Sequence, residues 1–362
     1  MNKAPLRIAM HAPPWKSIPP HGYGAIEEVV RLLCIGLVRR GHRVSLFAPP
    51  GSASPADVHP VLEQAWPNGR EISDVFEIDH VARIFDAMDA AALAGDPFDV
   101  IHDHNAYAAL AMGNRAPAPI VHTVHWRFFE ANTPFYRAHG HKGVVVCLSH
   151  AQAEGAPAEL GEVHVVPNPI DVDEWPLSVE PGKYLLWMAR ICDEKGTDLA
   201  IEAAQRAGIP LVLAGPVRQS RDRTFLEERV LPLVDGERVR WVGEVAGRAK
   251  ADLLAGARAL LVPSRWDEPF GLVMAEAMAC GTPVIALPAG AARELVIHGI
   301  NGFLVNDVGA MADAIARACD IDRPACRRSV AERFSVEIVI EAYERLYRRA
   351  IAESAVGRPE DR

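Results

Sequence analysis

Short apolar, β-branched runs recur from one end of the chain to the other, each separated from the next by a stretch with helical spacing. In the first half they are Ile8–Met10, Val44–Phe47, Val100–His102, Ile120–Val124, Val144–Val146 and Val163–Val166. In the second half they are Tyr184–Trp187, Leu211–Ala214, Val239–Val242, Leu260–Val262, Val284–Ala286 and Phe303–Val305. Near-continuous apolar strands alternating with helices indicate parallel sheets covered on both faces. The series restarts after Pro167-Asn168-Pro169-Ile170-Asp171, where two prolines and turn formers make a linker. The 362 residues suit two domains of about 180 each. The expected fold is therefore α/β, with two doubly wound Rossmann-like domains, residues 1–173 and 174–335, facing a central cleft. Ligands of such sheets sit outside the carboxyl ends of the strands. A last amphipathic helix, 336–352, is expected to pack back on the first domain. Ser335 is its N-cap, and Ile338, Val339, Ala342, Tyr343, Leu346 and Tyr347 follow at helical spacing. Residues 353–362 read as a flexible tail.

Composition narrows the function classes. With 49% hydrophobic and 23% charged residues, bulk disorder is excluded. The longest apolar runs, such as Gly143–Leu148, fall far short of the roughly 20 residues a membrane helix needs. The amino terminus shows no signal-peptide core, and the six cysteines form no CxxC pair, so the expectation is a cytoplasmic protein with reduced thiols. Net charge is −9, which argues against a nucleic-acid partner. Residues 1–173 carry 13 basic and 19 acidic side chains and the remainder 25 and 28, so neither half is a basic membrane-facing body. Peripheral membrane contact through a local patch and the oligomeric state stay open at this level.

The most informative segment is Asp267–Ile285. It follows the Leu260–Val262 strand and reads as a helix over Gly271–Cys280, with Gly281 as its C′ residue and Pro283 leading into the next strand. Glu268 then lies in the loop at the strand's carboxyl end and Glu276 about two turns into the helix. The helix N-terminus suits phosphate. A carboxylate such as Glu276 suits the vicinal hydroxyls of a ribose. The plainer reading is that Glu268 caps the helix and Glu276 is solvated.

The spacing of Glu268 and Glu276, with Phe270-Gly271 and Gly281-Thr282-Pro283, resembles the signature of the family 4 retaining glycosyltransferases of the GT-B fold, glycosyltransferase group 1. Other segments agree in order. Ala189-Arg190-Ile191-Cys192-Asp193-Glu194-Lys195-Gly196 is similar to the family's Gly/Ala-Arg-x4-Lys-Gly segment. Gly299-Ile300-Asn301-Gly302-Phe303-Leu304-Val305 is similar to its Gly-x-x-Gly-Phe-Leu-Val, and Pro167–Asp171 to its linker, with Pro169 where the family has Gly. The resemblance covers about residues 6–350 and is stronger in the second half.

The resemblance implies a metal-independent transferase with no cofactor, moving a hexose with retention from a nucleoside diphosphate sugar to an acceptor hydroxyl on a glycan, glycolipid or small molecule. It assigns the diphosphate to Arg190 and Lys195. Two fixed cations can neutralise a diphosphate as its charge grows, at roughly 1.5–3 kcal/mol per charge-assisted contact; the plainer reading is a surface cluster with Asp193 and Glu194. Glu268 and the backbone of Phe270, Gly271 and Leu272 take the sugar hydroxyls, Glu276 takes the ribose, and the base is expected near Gly243 and Val245. Gly24, from Pro19–Glu28, would let the first domain's loop approach the phosphates. That loop is no dinucleotide fingerprint, because Glu27 stands where a third glycine is needed. His125 matches a family histidine that faces the donor sugar, with Trp126 where the family often has Asp. Trp126, Phe128, Phe129 and Tyr136 are candidates to stack on a sugar ring or an apolar acceptor, or to fill core under a loop. His102-Asp103-His104-Asn105 invites a metal reading, but no third ligand is identifiable; capping by Asp103 or Asn105 and packing by the histidines are expected instead. An epimerase or a non-catalytic sugar-nucleotide binder of the same fold is the alternative.

Overall fold

A computed structural model of the chain describes residues 4–66 and 73–356. Its contacts divide it into two units: Met1–Leu148 with Ala153–Pro169 and Val336–Arg362, and Ser149–Gln152 with Ile170–Ser335.

The first unit holds a seven-stranded sheet: β1 (Arg7–His11), β2 (Arg43–Phe47), β3 (Asp57–His59), β4 (Val100–Asp103), β5 (Ile120–Thr123), β6 (Val144–Cys147) and β7 (His164–Val165). Their order is β3-β2-β1-β4-β5-β6-β7, with every pairing parallel. The second unit holds β8 (Tyr184–Met188), β9 (Leu211–Ala214), β10 (Val239–Trp241), β11 (Ala257–Val262), β12 (Val284–Ala286) and β13 (Gly302–Leu304). These are also parallel, in the order β10-β9-β8-β11-β12-β13. Each unit is thus a doubly wound, Rossmann-like sheet whose strand order reverses once, between β1 and β4 in the first and between β8 and β11 in the second. Central strands are buried on both faces, as β4 and β9 show at every position, which is why their sequences lack a polar alternation.

Each of the twelve apolar runs overlaps a strand. The strand that the sequence does not announce is β3. Its Asp-Val-His has one apolar residue, and it exists because β2 offers it an edge, Ser45 opposite Asp57.

Arg323–Phe334 and Val336–Val356 are helices, with Ser335 between them bridging to Ile170. The last helix belongs to the first unit and extends four residues past the expected 352; residues 357–362 lie outside the described residues. Its Tyr343 and Tyr347 are buried. Glu344 receives Arg40 through Nε and Nη2, at 3.0 and 2.7 Å, and the Nε2 of His42 at 2.9 Å. The other nitrogen of His42, Nδ1, accepts from the Leu6 amide at 3.0 Å. This pairing, led by the Arg40 hydrogen bond, lowers the Glu344 carboxyl to about 2. Burial pushes the thiols of Cys34, Cys147, Cys280 and Cys326 up to about 12, and all six cysteines are unbridged. No helix among the described residues is long and apolar enough to cross a membrane.

Candidate functional site

The second unit gathers charge at the carboxyl ends of its strands. Arg190 follows β8 by two residues, where the Ala189 and Ile191 amides bond to the Ala214 and Pro216 carbonyls. Its Nη1 lies 3.3 Å from Asp222 Oδ2 and its Nη2 3.2 Å from Glu194 Oε2. Asp222 is buried, accepts from the Gln219 amide at 3.1 Å, and has an Oδ1 with no hydrogen bond among the described residues, Arg221 Nε lying 4.0 Å from it. Asp193, the other expected partner of Arg190, pairs with Arg265 instead. Lys195 closes a single helical turn, Asp193–Lys195, and the indole of Trp187 holds its carbonyl at 3.1 Å. Its ammonium pairs with the Glu268 carboxylate and lies 5.7 Å from the centre of the Trp266 ring. Both cations are partly exposed, at 26% and 18%. An ion pair with a partly exposed carboxylate, such as Glu194 at 38%, contributes little to stability, so a polyanion can replace that carboxylate at small cost; the buried Asp222 is the exception.

Glu268 does not cap the helix. The helix is Leu272–Ala279, one residue shorter at each end than expected, with Gly271 as N-cap at φ +82° and no side-chain cap. The Glu268 loop is instead fixed from the end of β12. The Gly290 amide bonds Asp267 Oδ1 and the Ala291 amide bonds the Glu268 carbonyl, both at 2.9 Å. A Cβ on Gly290 would come within 2.4 Å of the Glu268 amide nitrogen, and φ there is +51°, so only glycine fits. Sequence reading missed Gly290 and Ala291; their signal is Pro288-Ala289-Gly290 directly past a strand's carboxyl end. The ring of Phe270 is buried edge-on against Phe334, 5.3 Å between centres, so only its backbone is available to a ligand. Past Gly271, Leu272 begins the helix, and the first amides of a helix have no intrahelical acceptor.

Glu276 is not solvated. It is 4% exposed, and Lys250 Nζ reaches its Oε1 at 2.6 Å. Its Oε2 is buried with no protein partner among the described residues. Lys250, on the Gly247–Ala255 helix, gave no sequence signal. Gly243 and Val245 follow β10. The Gly243 carbonyl accepts from the Gly215 amide at 2.7 Å, Val245 is half-buried, and Glu244 between them pairs with Arg218 at 3.0 Å.

In the first unit, Gly24 is the N-cap of the Ala25–Arg39 helix with an extended backbone at φ −165°. The space of its absent Cβ is taken by the Pro20 ring, at 2.5 Å, and Glu27 Oε2, at 2.8 Å. His125 stands just beyond β5, half-buried. Its Nε2 meets His104 Nδ1 at 2.8 Å. Burial, followed by the neighbouring His122, pushes its pKa down to about 3, so the ring is neutral. Trp126 and Phe129 are exposed, at 46% and 40%, while Tyr136 is core and carries Phe128 against it.

The His102–Asn105 segment corrects an expectation. Neither Asp103 nor Asn105 caps a helix. Glu77 does so, accepting from the amides of Tyr107 and Ala108 at 3.0 and 3.2 Å ahead of the Ala108–Ala111 helix. Asp103 ends β4, fully buried, and accepts from His122 Nδ1 at 2.6 Å and Asn105 Nδ2 at 2.8 Å. Burial alone would raise its carboxyl, but His11 and His122 hold it well below the usual range. Both nitrogens of His102 are engaged, Nε2 by Thr123 Oγ1 at 3.0 Å and Nδ1 by the Tyr347 hydroxyl at 2.7 Å. Capping fails as an expectation because the side chains meet neighbours that are distant in sequence.

The structure therefore brings Lys195 and Glu268 together and places Arg190, Gly243, Val245 and Glu276 on loops or a helix following strands of the same sheet. Gly24 and His125 occupy the equivalent ends of the other sheet.

Residues 26–174 match Glycosyltransferase Family 4, and residues 173–332 match Glycosyl transferases group 1. A D-inositol 3-phosphate glycosyltransferase of Mycolicibacterium smegmatis is 26% identical, covering 99% of this chain and 94% of its own. A glycosyltransferase involved in avilamycin A biosynthesis superposes with a TM-score of 0.70 at 26% identity, covering 96% of this chain and 98% of its own. Anabaena HepE in complex with UDP and glucose has the same architecture, with a TM-score of 0.70 at 21% identity, over 95% of this chain and all of its own.

Proposed function

The chain belongs to the family 4 glycosyltransferases of the GT-B fold, and from that premise we propose that it moves a hexose, with retention of configuration, from a nucleoside diphosphate sugar to an acceptor hydroxyl without a metal. The observation that carries the reading is the pair Arg190 and Lys195 on the loop after β8, at the point where the strand order of the second sheet reverses, with the Glu268 carboxylate against Lys195. Open α/β sheets bind ligands at such a point. The two cations take over the diphosphate from their carboxylate partners and neutralise its charge as the sugar bond breaks, which is the task a divalent metal would otherwise perform. Glu268, released from Lys195, and the amides that begin the Leu272–Ala279 helix take the sugar hydroxyls. The unpaired Oε2 of Glu276 supports the ribose assignment, because a buried carboxylate oxygen without a donor costs free energy until a hydroxyl reaches it. The backbone at Gly243 and Val245 takes the base, Gly24 lets its loop approach the phosphates, and His125 orients the sugar.

UDP-, GDP- and ADP-sugars, each labelled in the sugar, separate the possibilities when transfer, hydrolysis and epimerisation are scored together. Donors that bind raise the melting temperature by linkage. Label in a glycosidic product, with the donor's anomeric configuration kept and turnover unchanged in EDTA, supports the reading. Activity that vanishes with chelator and returns only with Mn²⁺ or Mg²⁺ overturns the diphosphate assignment. Label appearing only in an epimerised sugar nucleotide makes the protein an epimerase.

A further inference from the structure

The carboxyl ends of β4 and β5 carry five imidazole and carboxylate groups packed on one another, and one contact among them bears on the reaction. His125 Nε2 and His104 Nδ1 are 2.8 Å apart, with the rings stacked at 5.1 Å between centres and 29° between planes. A hydrogen bond between two neutral imidazoles requires one nitrogen to carry the proton and the other to accept. Which one donates fixes the tautomer of both rings.

The surroundings of His104 decide the direction. Its backbone is pinned by its own N–H, which donates to the His11 carbonyl at 3.1 Å. Its ring lies 4.2 Å from that of His102, which cannot turn because Thr123 and Tyr347 hold both of its nitrogens. His104 is 2% exposed, and its Nε2 is buried with no protein partner among the described residues. If His125 donated, His104 would have to bury an unpaired N–H at Nε2. If His104 donates from Nδ1, only a bare lone pair is buried there. Unpaired buried N–H groups are rarer than buried acceptors left with a free lone pair. The proton therefore sits on His104 Nδ1, and His125 accepts at Nε2.

We infer that His104 is a positioning residue for the transfer reaction: by donating from Nδ1 it locks His125 in the Nδ1–H tautomer, so that the ring's remaining polar group is a neutral donor. This inference rests on the glycosyltransferase reading for its kinetic consequence, but the tautomer itself does not. Burial and the neighbouring rings push both histidines down, His125 to about 3, which keeps the pair neutral at working pH. A neutral donor aimed at a sugar hydroxyl adds a hydrogen bond without placing a positive charge beside a sugar that itself becomes positive as its bond to phosphate lengthens.

The test has two arms. Nitrogen-15 chemical shifts of the imidazoles in the wild-type protein should show a protonated Nδ1 and bare Nε2 on both His104 and His125. In His104→Ala, His125 should lose that tautomer. Donor KM should stay within about twofold, and kcat should fall by a factor on the order of 10–100, part of the loss expected for a misdirected donor. His104→Asn, whose amide can donate from nearly the same place, should recover much of kcat. A wild-type His125 protonated on Nε2 overturns the inference whatever the kinetics. So does a His104→Asn enzyme no better than His104→Ala, or a KM effect with unchanged kcat. If no donor is turned over by the wild-type protein, the glycosyltransferase reading fails while the nitrogen shifts still decide the tautomer.

Discussion

The two sheets share one strand order yet carry opposite kinds of polar chemistry at the same topological place. In the second unit the groups at the carboxyl ends are full charges, with Arg190, Lys195, Glu194 and Glu268 partly exposed and paired, Arg190 with Glu194 and Lys195 with Glu268; the buried Asp222 behind Arg190 is the exception. In the first unit they are imidazoles, hydroxyls and one carboxylate, sealed from solvent and tied to one another, from Asp103 and His122 to Thr123 and Tyr343. Exposed ion pairs are cheap to open. Buried hydrogen-bond networks are costly to disturb, because each lost partner leaves a desolvated group behind. The first arrangement suits an anion that must arrive and leave. The second suits a single ring that must not move.

That contrast breaks most sharply at the cations. Arg190→Ala and Lys195→Ala should each lower kcat by a factor on the order of 10²–10³, the scale for one donor aimed at developing charge, and should weaken donor binding as well. Melting temperatures should move little for Lys195→Ala, whose partner Glu268 is part-exposed. They should move more for Arg190→Ala, which leaves the buried Asp222 with one fewer donor. Near-normal steady-state kinetics in both variants would reduce the pair to a surface cluster.

His125→Ala comes next. The expected outcome is a kcat lower by a factor on the order of 10², with donor affinity retained, because the ring serves the reacting sugar and not the nucleotide. If the acceptor KM rises while donor hydrolysis without acceptor stays normal, the ring serves the acceptor instead, a change that Trp126 in the following position would bring about.

Glu276→Gln is the complementary case. A ribose contact is the same in ground and transition states, so its loss should raise donor KM about tenfold and leave kcat unchanged. A fall in kcat with constant KM would move Glu276 to the reacting centre.

The smallest effect is expected at Glu344, which tests the structural side of the comparison. Its folded pKa of about 2 lies below the ordinary 4.5. The pairing with Arg40 and His42 is therefore fully stabilising above pH 4.5 and is lost as pH falls from 4.5 toward 2. Glu344→Gln should lower the melting temperature by about 2–4 °C at pH 7, with the difference from wild type closing toward pH 2, and should leave kcat and KM unchanged. A difference that persists undiminished at pH 2 would show that packing, not ionisation, carries the effect.

The charged half of the site is legible in the sequence because its spacing is local. Arg190 and Lys195 fall on one loop, Glu268 and Glu276 on one loop and helix, and a strand in front of each fixes where those loops emerge. Gly290 was not legible. Its place against Glu268 follows from β12 lying beside β11, and no spacing within the segment announces that. Lys250 escaped for the same reason: a lysine on an amphipathic helix reads as a solvated face until Glu276 is found 2.6 Å away.

By itself the sequence determined the two parallel sheets, their strands apart from β3, and the family, because burial on both faces writes itself into every central strand as an unbroken apolar run. Only the tertiary structure decided what the buried polar groups do. Asp103 looked like a helix cap and is the acceptor for His122; Glu77, 30 positions before Tyr107, is the cap. The histidines at 102, 104 and 125 looked like packing and a lone active-site ring. They form a stack whose proton positions depend on one another, with Thr123 and Tyr347 holding the base of it. A hydrogen bond is fixed by distance and direction between residues far apart in the chain, 245 positions in the case of Tyr347 and His102. Residue type and local periodicity carry no record of that distance, so only the packed chain could supply it.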